Sequence, residues 1–219
     1  MDQERPPSPE RPKRRPSPYA DAPRLPEGES VDLTSLVTGE WIEIEVGCGR
    51  GAFVIERVAA EPRAAVVGME IKRKWAALVD ARLARQGLAA RARVFAEDAR
   101  AALPRLGPAG ALKRMYMHFP DPWWKKRHHK RMVMGDVFLD EAARLLEPGG
   151  ELFIQTDVVE RAEAYEARIA AHPAFAPAGD AEGSPRLEQN PYAARSNRER
   201  RADEDGLPVH RMRWVRVRA

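Results

Sequence analysis

Cysteine is almost absent from this chain. Cys48 stands alone, so no disulfide can form within it and a cysteine-built zinc site has no ligand set. Long apolar runs are absent too. No stretch approaches the roughly 18 residues that span a bilayer. The N-terminus carries charges and prolines where a secretory signal would need an apolar core. These absences predict a cytoplasmic protein with no membrane partner. Large apolar residues are also scarce in the first thirty positions, which hold eight prolines and many charges. Such a segment buries too little surface to offset its ordering entropy. The expectation is a disordered, basic, Pro-rich tail over 1–30 and one domain over 31–219. The tail's Arg11, Lys13, Arg14 and Arg15 could touch nucleic acid or stay solvated.

What remains is an ordinary globular composition. The chain has 219 residues, 43% of them hydrophobic, enough for one sizeable core. Lys and Arg number 37 against 33 Asp and Glu, and the sequence pI is about 9.4. That balance permits an anionic or nucleic-acid partner. Aromatics make up only 7%, yet two of them, Trp123 and Trp124, stand together. They follow Asp121, which Pro120 and Pro122 hold on a stiff turn. Five Lys/Arg and two His come next, over 125–131. A fixed carboxylate beside flat rings and dense positive charge suits a polyanion carrying planar bases. The plainer alternative is a solvated charge run. Adjacent His128 and His129 do not match one-face metal-ligand spacings, so no metal is expected.

Periodicity predicts strands alternating with helices. Trp41–Val46, Ala65–Met69, Ala92–Ala96, Leu112–Met117 and Glu151–Gln155 read as strands, and Arg211–Arg218 as a last strand with one wet face. Helices are expected from Ala52 to Ala59, from Lys72 to about Gln86, ending near Leu146 after a cap at Asp136, and from about Val158 to Ala171. The stretch from His172 to about Arg201 reads as irregular. The fold class predicted is α/β, Rossmann-like and doubly wound, with a mostly parallel sheet. In such folds the ligand lies beyond the carboxyl ends of the strands. The candidate residues fall there: Gly47 to Gly51, then Glu70, Asp98, Asp121 and Asp157.

The glycine loop alone fits a nicotinamide dinucleotide or S-adenosylmethionine. Glu45 just before it would repel a pyrophosphate and suit a ligand with an ammonium and a sulfonium. Glu97 and Asp98 offer acceptors for an adenine amino group. Each acid has a structural alternative: Glu45 a surface strand residue, Glu70 a helix-start acid, Asp98 an N-cap.

Together, Glu45-Val46-Gly47-Cys48-Gly49-Arg50-Gly51, Gly68-Met69-Glu70, the run from Phe119 to Arg131, Pro148-Gly149-Gly150 and Thr156-Asp157 resemble the bacterial tRNA (guanine-N7-)-methyltransferase family, over roughly Trp41 to Arg201. The resemblance implies a seven-stranded class I methyltransferase fold that uses S-adenosylmethionine to methylate N7 of guanine 46 in the tRNA variable loop. It implies that Glu45, Gly47, Gly49, Glu70, Asp98 and Asp121 line the cofactor site, with Asp121 catalytic. Lys125, Asp157, Ser196, Asn197, Arg198 and Glu199 would contact substrate. The family usually has Thr-x-Phe-Glu where this chain has Ser196-Asn197-Arg198-Glu199, so Arg198 would stack where Phe does. Ser-x-x-Glu is also a helix capping box, and Asp157 with Glu160 has capping spacing. Another RNA substrate, or an inactive RNA-binding relative, remains open at this level, as does monomer or homodimer.

Overall fold

The computed structural model describes residues 17–120 and 133–217. Its main sheet contains β1 (Trp41–Val46), β2 (Ala64–Met69), β3 (Ala92–Phe95), β4 (Leu112–His118), β5 (Leu146–Thr156), β6 (Phe175–Pro177) and β7 (His210–Arg216). The spatial order is β3-β2-β1-β4-β5-β7-β6, and a short strand at Arg186–Leu187 also pairs with β7. β1 to β5 are parallel neighbours, while β7 runs antiparallel to β5 and to β6. This is the expected doubly wound sheet with seven strands on its path. Val31–Asp32 and Leu106–Gly107 form a separate two-stranded ladder.

Parallel strands need helical crossovers, which cover both faces and bury the strands on each side. β2 is buried along its whole length. Ile42, Ile44 and Val46 of β1 point into the larger core with Val67, Met115, Leu145, Leu152 and Trp214. The alternate positions Glu43 and Glu45 point to the other face, beside α1 (Ala52–Ala60). That face is closed by a second apolar cluster of α1, α2 (Arg73–Arg85) and β3. A third cluster holds Phe53, Tyr116, Phe153 and Tyr192. The short α3 (Ala99–Ala102) follows β3, α4 (Asp136–Leu145) precedes β5, and α5 (Val159–Ala170) and α6 (Asn197–Glu204) follow it.

Several expectations need correction. From Ser17 onward the N-terminal segment is packed rather than disordered. Ala22 and Leu25 are buried, and the Ala96 N–H donates to Pro23 O at 2.7 Å. Two apolar side chains and a backbone bond to the end of β3 offset the ordering entropy of those residues. Residues 1–16 lie outside the described residues. Asp136 is the first helical residue of α4, whose N-cap is Gly135, and it pairs with Arg168 at 2.7 Å. The stretch read as irregular contains β6 and α6. The basic face of β7 is covered: Arg211 reaches Glu199 at 3.1 Å, and Arg213 donates to Ala178 O at 2.7 Å.

Candidate functional site

The loop after β1 is built for close approach. Gly51, at φ +72°, could carry no side chain, because a Cβ there would stand 2.2 Å from Val79 Cγ1. Cβ atoms at Gly47 and Gly49 would meet nothing within 4 Å, so the loop opens onto free space. Glu70, at the carboxyl end of β2, fixes that loop. Its Oε2 accepts from Gly49 N–H at 2.9 Å and its Oε1 from Lys72 N–H at 2.8 Å. Each oxygen keeps a second lone pair.

A cavity of about 460 Å³ lies against this loop. Glu45, Gly47, Cys48, Gly49 and Arg50 form one side of it. His118, Phe119 and Pro120 come from the end of β4, Asp157 and Val158 from the end of β5, and Ser196, Asn197 and Arg198 from the start of α6. Burial raises the Cys48 thiol well above its ordinary value, with Glu45 and Glu70 adding to the effect. It is therefore held protonated and is a poor nucleophile.

Glu45 is 1% exposed and His118 6%. Glu45 Oε1 and His118 Nδ1 are 2.8 Å apart. Glu45 Oε2 and His118 Nε2 are buried with no hydrogen-bond partner among the described residues. With the carboxylate ionised, Nδ1–H is the donor and fixes the carboxylate's orientation, leaving Oε2 available to a cation. A buried carboxylate oxygen without a donor is costly, so it marks a place where a ligand supplies one. The His118 ring is itself gripped by Phe53, at 4.3 Å between centroids, and by Phe153 at 5.9 Å. Just beyond, Phe119 adopts φ +48°, with its N–H donating to Gln155 O at 2.7 Å. Left-handed backbone at a non-glycine residue costs of order 1 kcal/mol and recurs at functional sites.

The expected residues fall into separate groups. Glu45, Gly47, Gly49, Asp157, Ser196, Asn197 and Arg198 line one cavity, and Glu70 braces its loop. Asp98 stands apart from the cavity lining as the N-cap of α3. It accepts from Arg100 N–H at 3.1 Å, and its hydrogen bond to the Arg100 side chain holds its carboxyl below the usual range. Glu97 Oε1 accepts from Arg24 Nε at 2.8 Å and from Leu25 N–H at 3.1 Å, and its Oε2 accepts from Arg24 Nη2 at 3.2 Å, so Glu97 ties the N-terminal segment to the end of β3. Asp157 does not cap α5, whose N-cap is Val158; it forms an ion pair with Arg198 across the cavity. Ser196 does cap α6, accepting from Glu199 N–H at 3.1 Å. The Glu199 carboxylate is fully buried and held by Gln155 at 2.8 Å, Asn190 at 3.0 Å and Arg211 at 3.1 Å. Asp121, Lys125 and the remainder of the Trp-rich basic run through Arg131 lie outside the described residues. Among the described residues no group of three or more His, Cys, Asp or Glu is placed to hold a metal ion, and no helix is long and apolar enough to cross a membrane.

His118 carried no sequence signal beyond its place at a strand end. Its role comes from the neighbouring strand, through Glu45.

The sheet order, the glycine loop at its centre and the cavity beyond the strand ends define an α/β methyltransferase. A family model described as "Putative methyltransferase" matches residues 40–212. A solved 16S rRNA methyltransferase, KamB, superposes with a TM-score of 0.60 at 14% identity, covering 85% of this chain and 91% of that one. Geranyl diphosphate C-methyltransferase from Streptomyces coelicolor A3(2) gives 0.52 at 16%, covering 83% and 72%. At those identities the likeness concerns the fold alone. Sequence relatives are more specific. The tRNA (guanine-N(7)-)-methyltransferase of Anaeromyxobacter dehalogenans is 41% identical over 182 residues, 82% of this chain and 87% of the relative. That of Trichormus variabilis is 32% identical over 178 residues, 80% and 81%. This chain belongs to the tRNA (guanine-N(7)-)-methyltransferase family.

Proposed function

We propose that this protein transfers the methyl group of S-adenosylmethionine to N7 of a guanine in tRNA, that the guanine is number 46 of the variable loop, and that the reaction takes place in the cytoplasm. The observation that carries the reading is the shared cavity: an unpaired, buried Glu45 oxygen and an open glycine loop on one side, and Asp157 with Ser196 to Arg198 on the other. S-adenosylmethionine, when bound, supplies a methyl on a positively charged sulfur. Glu45 would hold its ammonium group, the open backbone at Gly47 and Gly49 would let it lie close, and Glu70 and Asp98 would serve its nucleoside end.

Guanine N7 is a free lone pair with no proton to remove. The residues must therefore align the base rather than deprotonate it. We assign to Asp121 the role of stabilising the cationic purine that forms. Asp157 accepts from the guanine N1–H and 2-amino group, a donor pattern adenine does not offer. Lys125 and the cations that follow it hold phosphates, and Arg198 stacks on a base in place of an aromatic ring. Ser196 and Asn197 form the remaining substrate wall. Glu199, through Gln155, Asn190 and Arg211, keeps that wall in place.

The test is mass-spectrometric nucleoside analysis of unmodified tRNA incubated with protein and S-adenosylmethionine. The expected product is 7-methylguanosine, absent when guanine 46 is replaced and absent with Asp121→Ala. A different methylated nucleoside, or full turnover by Asp121→Ala, overturns the corresponding assignment.

A further inference from the structure

The first turn of α2 carries the wrong sign of charge for a helix start. Lys72 is the N-cap with no side-chain capping bond, Arg73 and Lys74 follow, and no acid stands in that turn. Helix N-termini bear partial positive charge and favour acids, so these cations are repelled by the dipole and by one another. All three are exposed, and none has an acidic partner among the described residues. Further along the same helix charge is matched: Asp80 pairs with Arg93 at 2.8 Å. The same spot gathers an aromatic ring and a fourth cation. Arg50, from the glycine loop, lies 4.9 Å from the Trp75 ring centroid, and Lys74 Nζ lies 5.2 Å from the same ring. Arg50 also lines the cavity, so the strip begins at its mouth. Ile71 beside it is 64% exposed.

Two cation–π contacts to Trp75 leave most of this positive charge without a counter-charge among the described residues. A polyanion threaded past the cavity gains, because each cation displaces counterions from a phosphate and a half-buried indole offers a stacking face. We propose that Arg50, Lys72, Arg73 and Lys74 around Trp75 form a docking surface for the tRNA backbone flanking the target nucleotide. This surface is separate in sequence from the basic run at 125–131. The proposal rests on the reading of the cavity as a tRNA-methylating site.

The test pairs Arg73→Glu/Lys74→Glu with a control of equal charge change at the far end of the helix, Arg82→Glu/Arg85→Glu. Binding of unmodified tRNA is measured by anisotropy across a salt series. S-adenosylhomocysteine affinity and melting temperature are recorded alongside. For Arg73→Glu/Lys74→Glu, tRNA affinity falls at least about tenfold at low salt. The slope of log affinity against log salt flattens by about 1.5, the equivalent of two phosphate contacts. S-adenosylhomocysteine affinity stays the same and the melting temperature rises, because acids complement the dipole. The control leaves the slope near wild type and lowers the melting temperature. Arg73→Gln/Lys74→Gln flattens the slope in the same way without introducing acids. An unchanged slope in both substituted first-turn variants overturns the proposal, as does a control that weakens binding equally. A parallel loss of S-adenosylhomocysteine affinity also overturns it, since the residues would then serve the fold. If wild-type protein binds tRNA yet yields no methylated guanine, the functional reading fails while the salt slopes still decide the surface.

Discussion

Glu43 and Glu45 stand two residues apart on β1, face the same side of the sheet, and are both buried. Their surroundings differ. Glu43 accepts from Arg57 Nε and Nη2, both at 2.8 Å, from Trp41 Nε1 and Tyr116 Oη, both at 2.9 Å, and from Arg114 Nη1 at 3.0 Å. Among the described residues Glu45 has one partner, His118, and an oxygen with none. A buried carboxylate surrounded by donors is part of the fold, and one left half-satisfied is poised for a ligand. Burial and acidity alone do not distinguish structural from functional carboxylates. The count of unmet lone pairs does.

The largest effect tests the saturated member. Glu43→Gln leaves Arg57 and Arg114 buried against an uncharged amide and should cost roughly 3–5 kcal/mol in chemical denaturation at pH 7. S-adenosylhomocysteine affinity of the folded protein should change less than about twofold, since Glu43 does not line the cavity. Burial pushes the Glu43 carboxyl upward, but the hydrogen bonds and charge of Arg57, aided by Trp41 and Tyr116, hold it below its ordinary 4.5. A depressed folded value means its stabilisation is complete above about pH 4.5 and is lost as pH falls through the folded value. The stability gap between wild type and Glu43→Gln should therefore close on acidification. A gap that widens would refute the assignment.

Glu45→Gln comes next and should show the opposite pattern. Calorimetry with S-adenosylhomocysteine should show affinity about 10- to 100-fold weaker, the loss of a charge-assisted hydrogen bond. Unfolding free energy should shift by at most about 1 kcal/mol. A large stability loss with intact affinity would erase the contrast between the two acids.

The smallest effect sharpens the contrast. His118→Phe keeps the aromatic packing against Phe53 and Phe153 but removes the donor that aims Glu45. Cofactor affinity should fall about three- to tenfold, the value of one hydrogen bond. An affinity equal to wild type would show that the strand alone orients Glu45.

Much of the fold was legible in the sequence because it is carried by local pattern. The five parallel strands show as short β-prone runs before Gly, Glu or Asp turns, and α2 and α4 as apolar residues at helical spacing, with α1 and α5 following the turns. β6 was not legible: it is three residues long, ends in Pro177, and exists by pairing with β7 almost forty residues on. α6 was legible only in its capping box, Ser196 to Glu199, because it buries only Glu199 and Ala202 and leaves no apolar period to read. Of the candidate site, Glu45, the glycine loop and Asp157 could be placed from their positions after strands, but the Asp157–Arg198 pair and the capture of Glu97 by Arg24 could not.

Residue periodicity and turn chemistry specify the order of strands and helices and set acids at the carboxyl ends of the parallel strands. Which acids are saturated and which keep a lone pair for a ligand depends on contacts made across the folded sheet. Tyr116 reaches Glu43 across 73 positions of chain, and so does His118 to Glu45. Partners so distant in sequence are brought within hydrogen-bonding distance by strand pairing, and no local pattern encodes which carboxylate each will meet.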